Sequence, residues 1–158
     1  MAEKFKVPVE KGKTYTIDIL RLGSNGEGVG RVENFTVFVD GALPGETVTA
    51  RITFVKKQYA TGRLEKVQKP SEHRVKPPCS VYADCGGCQL QHLSYEGQLA
   101  EKRQQVQDAV ERIGKLKDIP VLPTLGADDP WAYRNKMQLP AGGDKKSLYI
   151  GCFAEKSH

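Results

Sequence analysis

Three of the four cysteines fall within ten residues, in the run Cys79-Ser-Val-Tyr-Ala-Asp-Cys85-Gly-Gly-Cys88. Thiols spaced Cys-x5-Cys-x2-Cys can converge on one centre without long-range folding, and Gly86 and Gly87 let the backbone turn tightly between them. Sets of this kind bind zinc or an iron–sulfur cluster, and either needs a fourth ligand. His92, four residues after Cys88, would complete a self-contained zinc site of three cysteines and one histidine. Cys152, 64 residues on from Cys88, would give an all-cysteine set suited to zinc or a [4Fe–4S] cluster. Both have plainer readings. Cys152 stands between Gly151 and Phe153 in an apolar stretch, where a cysteine is more often a buried, inert side chain. His92 fits a hydrogen-bonding role near a helix start. A redox pair of Cys85 and Cys88 would lack a preceding strand and would leave Cys79 unexplained.

A second group of residues combines cations with aromatic rings. Lys56, Lys57, Tyr59 and Arg63 lie around one strand junction, and Tyr133-Arg134-Asn-Lys136 repeats the combination later. Ammonium and guanidinium groups next to rings suit a phosphate backbone with stackable bases, so both groups are candidate RNA contacts. The charge distribution agrees for the first. Of a net charge of +5, residues 1–70 carry twelve Lys/Arg against eight Asp/Glu. A basic excess of this size also fits an ordinary solvated surface.

The elements that position these groups are legible in part. Residues 1–12 are polar and expected to fray. Tyr15, Ile17 and Ile19 alternate with Thr16 and Asp18, the period of a half-buried strand. A glycine-rich loop at 23–28 precedes Val29-Gly-Arg-Val32, then a tight turn at Glu33-Asn34 and a strand over 35–39. Val48, Ala50, Ile52 and Phe54 alternate with threonine and arginine in the clearest strand, and a fifth runs from Tyr59 to Val67. Five short strands without a helix predict a small closed barrel of the oligonucleotide-binding type. The 23–28 loop has neither the dinucleotide nor the P-loop spacing, and a strand rather than a helix follows it.

Proline-punctuated residues 68–78 read as a linker. Ser94 is a suitable N-cap for a helix carrying Tyr95, Leu99, Val106, Ala109, Val110 and Ile113 at helical spacing, with Gly114 as its C-cap. Two strands are expected over 131–139 and 147–153, joined through residues 142–146. The fold class is thus α+β, with a barrel over 1–70, a linker and cysteine loop over 71–93, and the beginning of a mixed helix and antiparallel-sheet domain over 94–158. Ending after a strand, the chain reads as part of a longer protein. Mean hydropathy is −0.49, and no apolar run approaches the roughly eighteen residues of a membrane span. The start lacks a signal-peptide pattern, so a cytoplasmic protein is expected, where clustered cysteines favour metal binding over disulfides.

Several segments resemble a known family. Gly26-Glu-Gly-Val-Gly-Arg31, Val37-Phe-Val39 and Gly41-Ala-Leu-Pro-Gly-Glu46 are similar to a TRAM domain, an RNA-binding barrel. Cys85-Gly-Gly-Cys-Gln-Leu-Gln-His92, the helix with Tyr95, Gln98 and Lys102, Tyr133-Arg-Asn-Lys136 and residues 151–158 resemble bacterial RNA (uracil-5-)-methyltransferases. Having both a TRAM domain and the cysteine loop points to the 23S ribosomal RNA branch. The resemblance implies a [4Fe–4S] cluster with Cys79, Cys85 and Cys88 as ligands. It places the fourth ligand beyond His158, leaving Cys152, which stands where the family more usually has an aromatic residue, and His92 as the weaker candidates. It further implies a central RNA-binding domain beginning within this chain and a later domain, absent here, that binds S-adenosylmethionine. The partner would be ribosomal RNA, without a membrane, and the protein a monomer. In the family a cysteine thiolate adds to C6 of an unstacked uracil, C5 takes the methyl group, and a base removes the C5 proton. None of those catalytic residues lies in these 158 positions, so this chain alone is expected to be inactive. The reading from a different class is a non-catalytic RNA-binding module with the three-cysteine, one-histidine zinc site.

Overall fold

The computed structural model describes residues 7–154 and Ser157. Residues 1–6, 155, 156 and 158 lie outside that set, and with them half of the stretch expected to fray, part of the 151–158 match and His158. The chain divides into two compact units after Arg74.

In the first unit, β1 (Thr14–Leu22), β2 (Gly28–Val32), β3 (Phe35–Asp40), β4 (Thr47–Val55) and β5 (Tyr59–Lys69) close into a barrel in the order β1-β2-β3-β5-β4. All neighbours are antiparallel except β3 and β5, which run parallel from Thr36↔Tyr59 to Asp40↔Arg63. The inward positions are those the alternation selects: Ile17, Ile19, Val37, Val39, Val48, Ala50, Ile52 and Ala60 are buried together. Burying a branched aliphatic side chain of this kind contributes about 1.5–3 kcal/mol, which makes this cluster the source of the barrel's stability. At the β2–β3 turn Glu33 and Asn34 both have positive φ, 47° and 66°, as a two-residue hairpin of the I′ type requires.

Two expectations for this unit are corrected. Residues 7–12 are not frayed: Val9 is part of the core, and the Gly12 amide donates to the Ile52 carbonyl at 2.8 Å. Phe54 does not continue the inward row of Val48, Ala50 and Ile52. The register moves from Ile52↔Gly62 to Phe54↔Thr61, so Thr53 is an extra residue and the strand bulges there. The bulge turns Phe54 outward, 47% exposed, and Val55 packs against the core in its place.

In the second unit, helix α1 (Tyr95–Asp108) is capped by Ser94, whose Oγ accepts from the Gly97 amide at 3.1 Å. Gln98 fastens its start by donating from Nε2 to the carbonyls of Leu90 and Leu93. A wider π-turn over Ala109–Ile113 follows. Gly114 closes it as the C-cap, its amide donating to the Ala109 carbonyl at 2.9 Å, with φ −69°; positive φ falls on the next residue, Lys115. The apolar row is largely uncovered, with Val106 and Ile113 exposed. Of the two strands expected here, the one over 147–153 is present in shortened form as β7 (Leu148–Ile150), but residues 131–139 form no strand, and the partner of β7 in this short hairpin is β6 (Ala141–Gly143) instead. Asp144 builds its turn, with Oδ1 accepting from the amides of Lys146 and Ser147. A strand needs a neighbour to take its backbone hydrogen bonds, and among the described residues none pairs with 131–139. Among the described residues no helix is long and apolar enough to cross a membrane.

Candidate nucleic-acid interface and cysteine site

The cation and aromatic residues of the barrel meet where β4 turns into β5. The Lys56 amide donates to the Tyr59 carbonyl at 2.8 Å, closing the turn. The Lys56 ammonium then lies over two rings, 5.7 Å from the Phe54 centroid and 5.4 Å from that of Tyr59. Tyr59 meets Phe38 edge-on at 5.5 Å. Phe38 on β3 and Phe54 on β4 both sit opposite Thr61 of β5, so the rings flank one row across three strands. Arg63 is exposed two residues beyond Thr61, opposite Arg51 on one side and Asp40 on the other. Arg51 is held by Glu65, Nε to Oε1 at 2.6 Å. Among the described residues Lys56, Lys57 and Arg63 form no salt bridge. The structure thus brings Lys56 and Tyr59 together and places Arg63 further along the same strand. It adds Phe38 and Phe54, which the sequence did not single out. The signal for Phe54 was the pair Phe54-Val55, two adjacent apolar residues that cannot both face inward without a slip in register.

The second cation–aromatic group belongs to the other unit. Arg134 stacks over Tyr133 at 5.6 Å, and Arg134 and Lys136 are both exposed in an irregular segment. Arg134 lies within electrostatic reach of Cys152.

The cysteine loop is a succession of tight turns. The Tyr82 amide donates to the Cys79 carbonyl, and the Asp84 and Cys85 amides both donate to that of Val81. The Gln91 side chain holds the Cys79 amide at 3.3 Å. Cys85 forms a bridge with Ala154, and the Gly86 amide donates to the Phe153 carbonyl at 3.0 Å. This pairing carries Cys152 to the loop. A Cβ on Gly87 would lie 3.3 Å from the Cys152 sulfur and 3.4 Å from that of Cys85, so the glycine lets both sulfurs come close to the backbone there. The Gly87 amide also points at the Cys85 sulfur, at 3.4 Å. The neighbouring Cys85 sulfur, followed by partial burial and Cys88, raises the pKa of the Cys152 thiol, and Arg134 opposes the shift. Cys152 is exposed, which corrects the expectation of a buried core cysteine.

His92 is 5% exposed. Its Nδ1 lies 2.6 Å from the Tyr82 hydroxyl, which also contacts the Gln89 carbonyl at 2.7 Å. It acts as a packed, hydrogen-bonded strut for the loop. The donor chemistry of the loop fits a sulfur-bound metal in part, since Gly87 makes room for two sulfurs and an amide faces one of them. The set is not assembled, however: among the described residues no three His, Cys, Asp or Glu side chains gather where they could hold a metal ion.

Comparison with known proteins follows the same division of the chain. Residues 8–64 match the TRAM domain family. The barrel is a TRAM domain. This TRAM domain and the unit after it are together similar to longer proteins. One from Clostridium tetani, named as an uncharacterized RNA methyltransferase, is 49% identical over 155 residues, 98% of this chain and 34% of that protein. Another of that description, from Halalkalibacterium halodurans, is 48% identical over 152 residues, 95% of this chain and 33% of that one. The chain spans about a third of the length of the curated relatives it matches. A solved structure of Pyrococcus abyssi tRNA (uracil-54, C5)-methyltransferase with S-adenosyl-L-homocysteine is 30% identical, with a TM-score of 0.39, covering 68% of this chain and 23% of that one. The chain is thus related over nearly its whole length to proteins named RNA methyltransferases.

Proposed function

We propose that this chain is the RNA-recognising part of an S-adenosylmethionine-dependent methyltransferase that forms 5-methyluridine in 23S ribosomal RNA. Similarity to proteins named RNA methyltransferases across both units, the TRAM domain included, carries this reading. Lys56, Lys57, Tyr59 and Arg63 on the barrel, with Arg134 and Lys136 on the second unit, would contact the RNA backbone and bases. The methyl donor would bind outside these residues, so the chain should bind RNA without methylating it. The cysteine loop would hold a [4Fe–4S] cluster through Cys79, Cys85 and Cys88, with a structural role, since methyl transfer to uracil requires no electron transfer. The Cys-x5-Cys-x2-Cys spacing and the amide facing Cys85 support the cluster. Loading it would have to draw Cys79 and Cys88 in toward Cys85.

RNA binding is tested by titrating the chain with 23S ribosomal RNA fragments and with transfer RNA at several salt concentrations. The paired change Lys56→Ala and Lys57→Ala should weaken binding and flatten its salt dependence by up to about two, one for each phosphate that a lysine had neutralised. Unchanged binding would remove these lysines from the interface. Equal affinity for the two RNA classes would count against ribosomal specificity. Anaerobic purification with iron and sulfide analysis tests the cluster; a colourless protein with neither would rule it out.

A further inference from the structure

The geometry points to Phe54 as a stacking platform for an unpaired base of a single-stranded RNA segment, with Lys56 placed to meet the adjoining phosphate. This deepens the RNA-binding reading above and rests on it. The starting observation is the bulge. With regular alternation Phe54 would be inside and Val55 outside, which would bury the larger apolar side chain. The extra residue at Thr53 reverses that, exposing the phenyl ring and burying the smaller Val55. Core packing does not account for a device that exposes the bigger ring. Bulges commonly re-aim a side chain toward a functional surface.

The surroundings indicate what would use it. Thr53 is fixed by its hydroxyl, which lies 3.1 Å from the Thr61 carbonyl and 3.2 Å from the Thr61 hydroxyl. The bulge is thereby held in place. Lys56 lies over both Phe54 and Tyr59, and Tyr59 is braced edge-on by Phe38. An exposed ring beside an ammonium group that no carboxylate of the described residues neutralises matches a nucleotide in both parts. The base presents a π-face and the phosphate an anion. Bases within a duplex are stacked on one another and cannot offer that face, so the chemistry selects single-stranded RNA over a helix.

The test uses the 158-residue chain and a fluorescently labelled short single-stranded RNA, with the same sequence as a duplex, read by anisotropy across a salt series. Single strand should bind more tightly than duplex. Phe54→Ala should weaken single-strand binding about tenfold, the effect of losing one stacked base. Its salt dependence should stay as in the wild type. Phe54→Leu, which keeps apolar bulk but not the aromatic face, should lose as much, and Phe54→Trp should retain affinity. Thermal melts of each variant confirm folding, which an exposed position should leave intact. If Phe54→Leu binds like the wild type, or duplex binds as well as single strand, stacking is overturned while electrostatic RNA binding stands. If the wild type binds neither RNA, the RNA-binding reading falls with it.

Discussion

Arg74 grips the buried carboxylate of Glu46 with two nitrogens, Nε on Oε1 at 2.5 Å and Nη2 on Oε2 at 2.8 Å. The same Nη2 donates to the Gly41 carbonyl at 2.7 Å. Glu46 also accepts from the amides of Leu43 at 2.9 Å and Ser71 at 3.3 Å. One side chain thus ties the loop between β3 and β4 to the residues that leave the barrel.

Removing one partner leaves the other stranded. Arg74→Met should cost about 3 kcal/mol in urea unfolding of the barrel, because the buried carboxylate loses its counter-charge. Adding Glu46→Gln to that variant should restore part of the loss, since the uncompensated charge is then gone. A purely additive pair would show that the fork is not coupled.

The same pair sets an acid limit. Burial pushes the Glu46 carboxyl up, but the Arg74 guanidinium and the Leu43 and Ser71 amides together outweigh it and hold the carboxyl below its ordinary 4.5. A depressed folded pKa means the stabilisation is complete above the unfolded value and is lost as pH falls through the folded one. Urea midpoints should therefore hold down to about pH 4.5 and then decline, with a smaller decline in Arg74→Met. Glu65 is also shifted down, chiefly by its hydrogen bond from Arg51, but it is solvent-exposed and should add little.

Gly30 should not tolerate a methyl group. A Cβ there would meet Ile17 Cγ2 and lie 2.5 Å from the Asp18 carbonyl oxygen, on the facing strand. Backbone cannot give way as a side-chain end can, so Gly30→Ala should cost about 3 kcal/mol. Gly12→Ala is the contrast: nothing lies within 4 Å, and only its φ of +86° resists. It should cost about 1 kcal/mol, from the dihedral alone.

The β2–β3 turn can be improved. Glu33 and Asn34 both hold positive φ, and Glu33 suits that region poorly. Glu33→Asn with Asn34→Gly should raise stability by about 1 kcal/mol, read as a higher melting temperature.

His92→Ala should leave the iron content of anaerobically prepared protein unchanged. The ring is packed inside the loop and bonded to Tyr82, so its removal should appear as lower thermal stability of the second unit. Loss of metal on this substitution would make His92 a ligand.

The barrel was legible because one face of each strand is buried, and burial imprints period two on Ile17, Ile19, Val37, Val39, Val48, Ala50 and Ile52. Alternation places Phe54 inward because it carries no mark of an inserted residue except the apolar pair that residue creates. Glu46 ends the recognisable Gly41–Glu46 segment, but its partner Arg74 lies 28 residues on, and sequence spacing does not show such a meeting. The nearness of Cys152 to Cys85 was hidden for the same reason, since the Cys85–Ala154 bridge joins distant segments. In residues 131–139 the pattern suggested a strand, but pattern alone does not provide a pairing partner.

The ring closure of the barrel bears on where the chain would begin to clump. With β3 and β5 paired in parallel and β4 returned to β1, every strand of that unit has neighbours on both sides. It offers no backbone template to another molecule, so it can be joined to other sequences as a portable module. The β6–β7 hairpin is two strands of three residues that no third strand of the described residues joins, and Leu148, Tyr149 and Ile150 are all exposed on it. In a concentrated solution, intermolecular strand addition would start there, and shielding those three residues would be the first step toward keeping the chain dispersed.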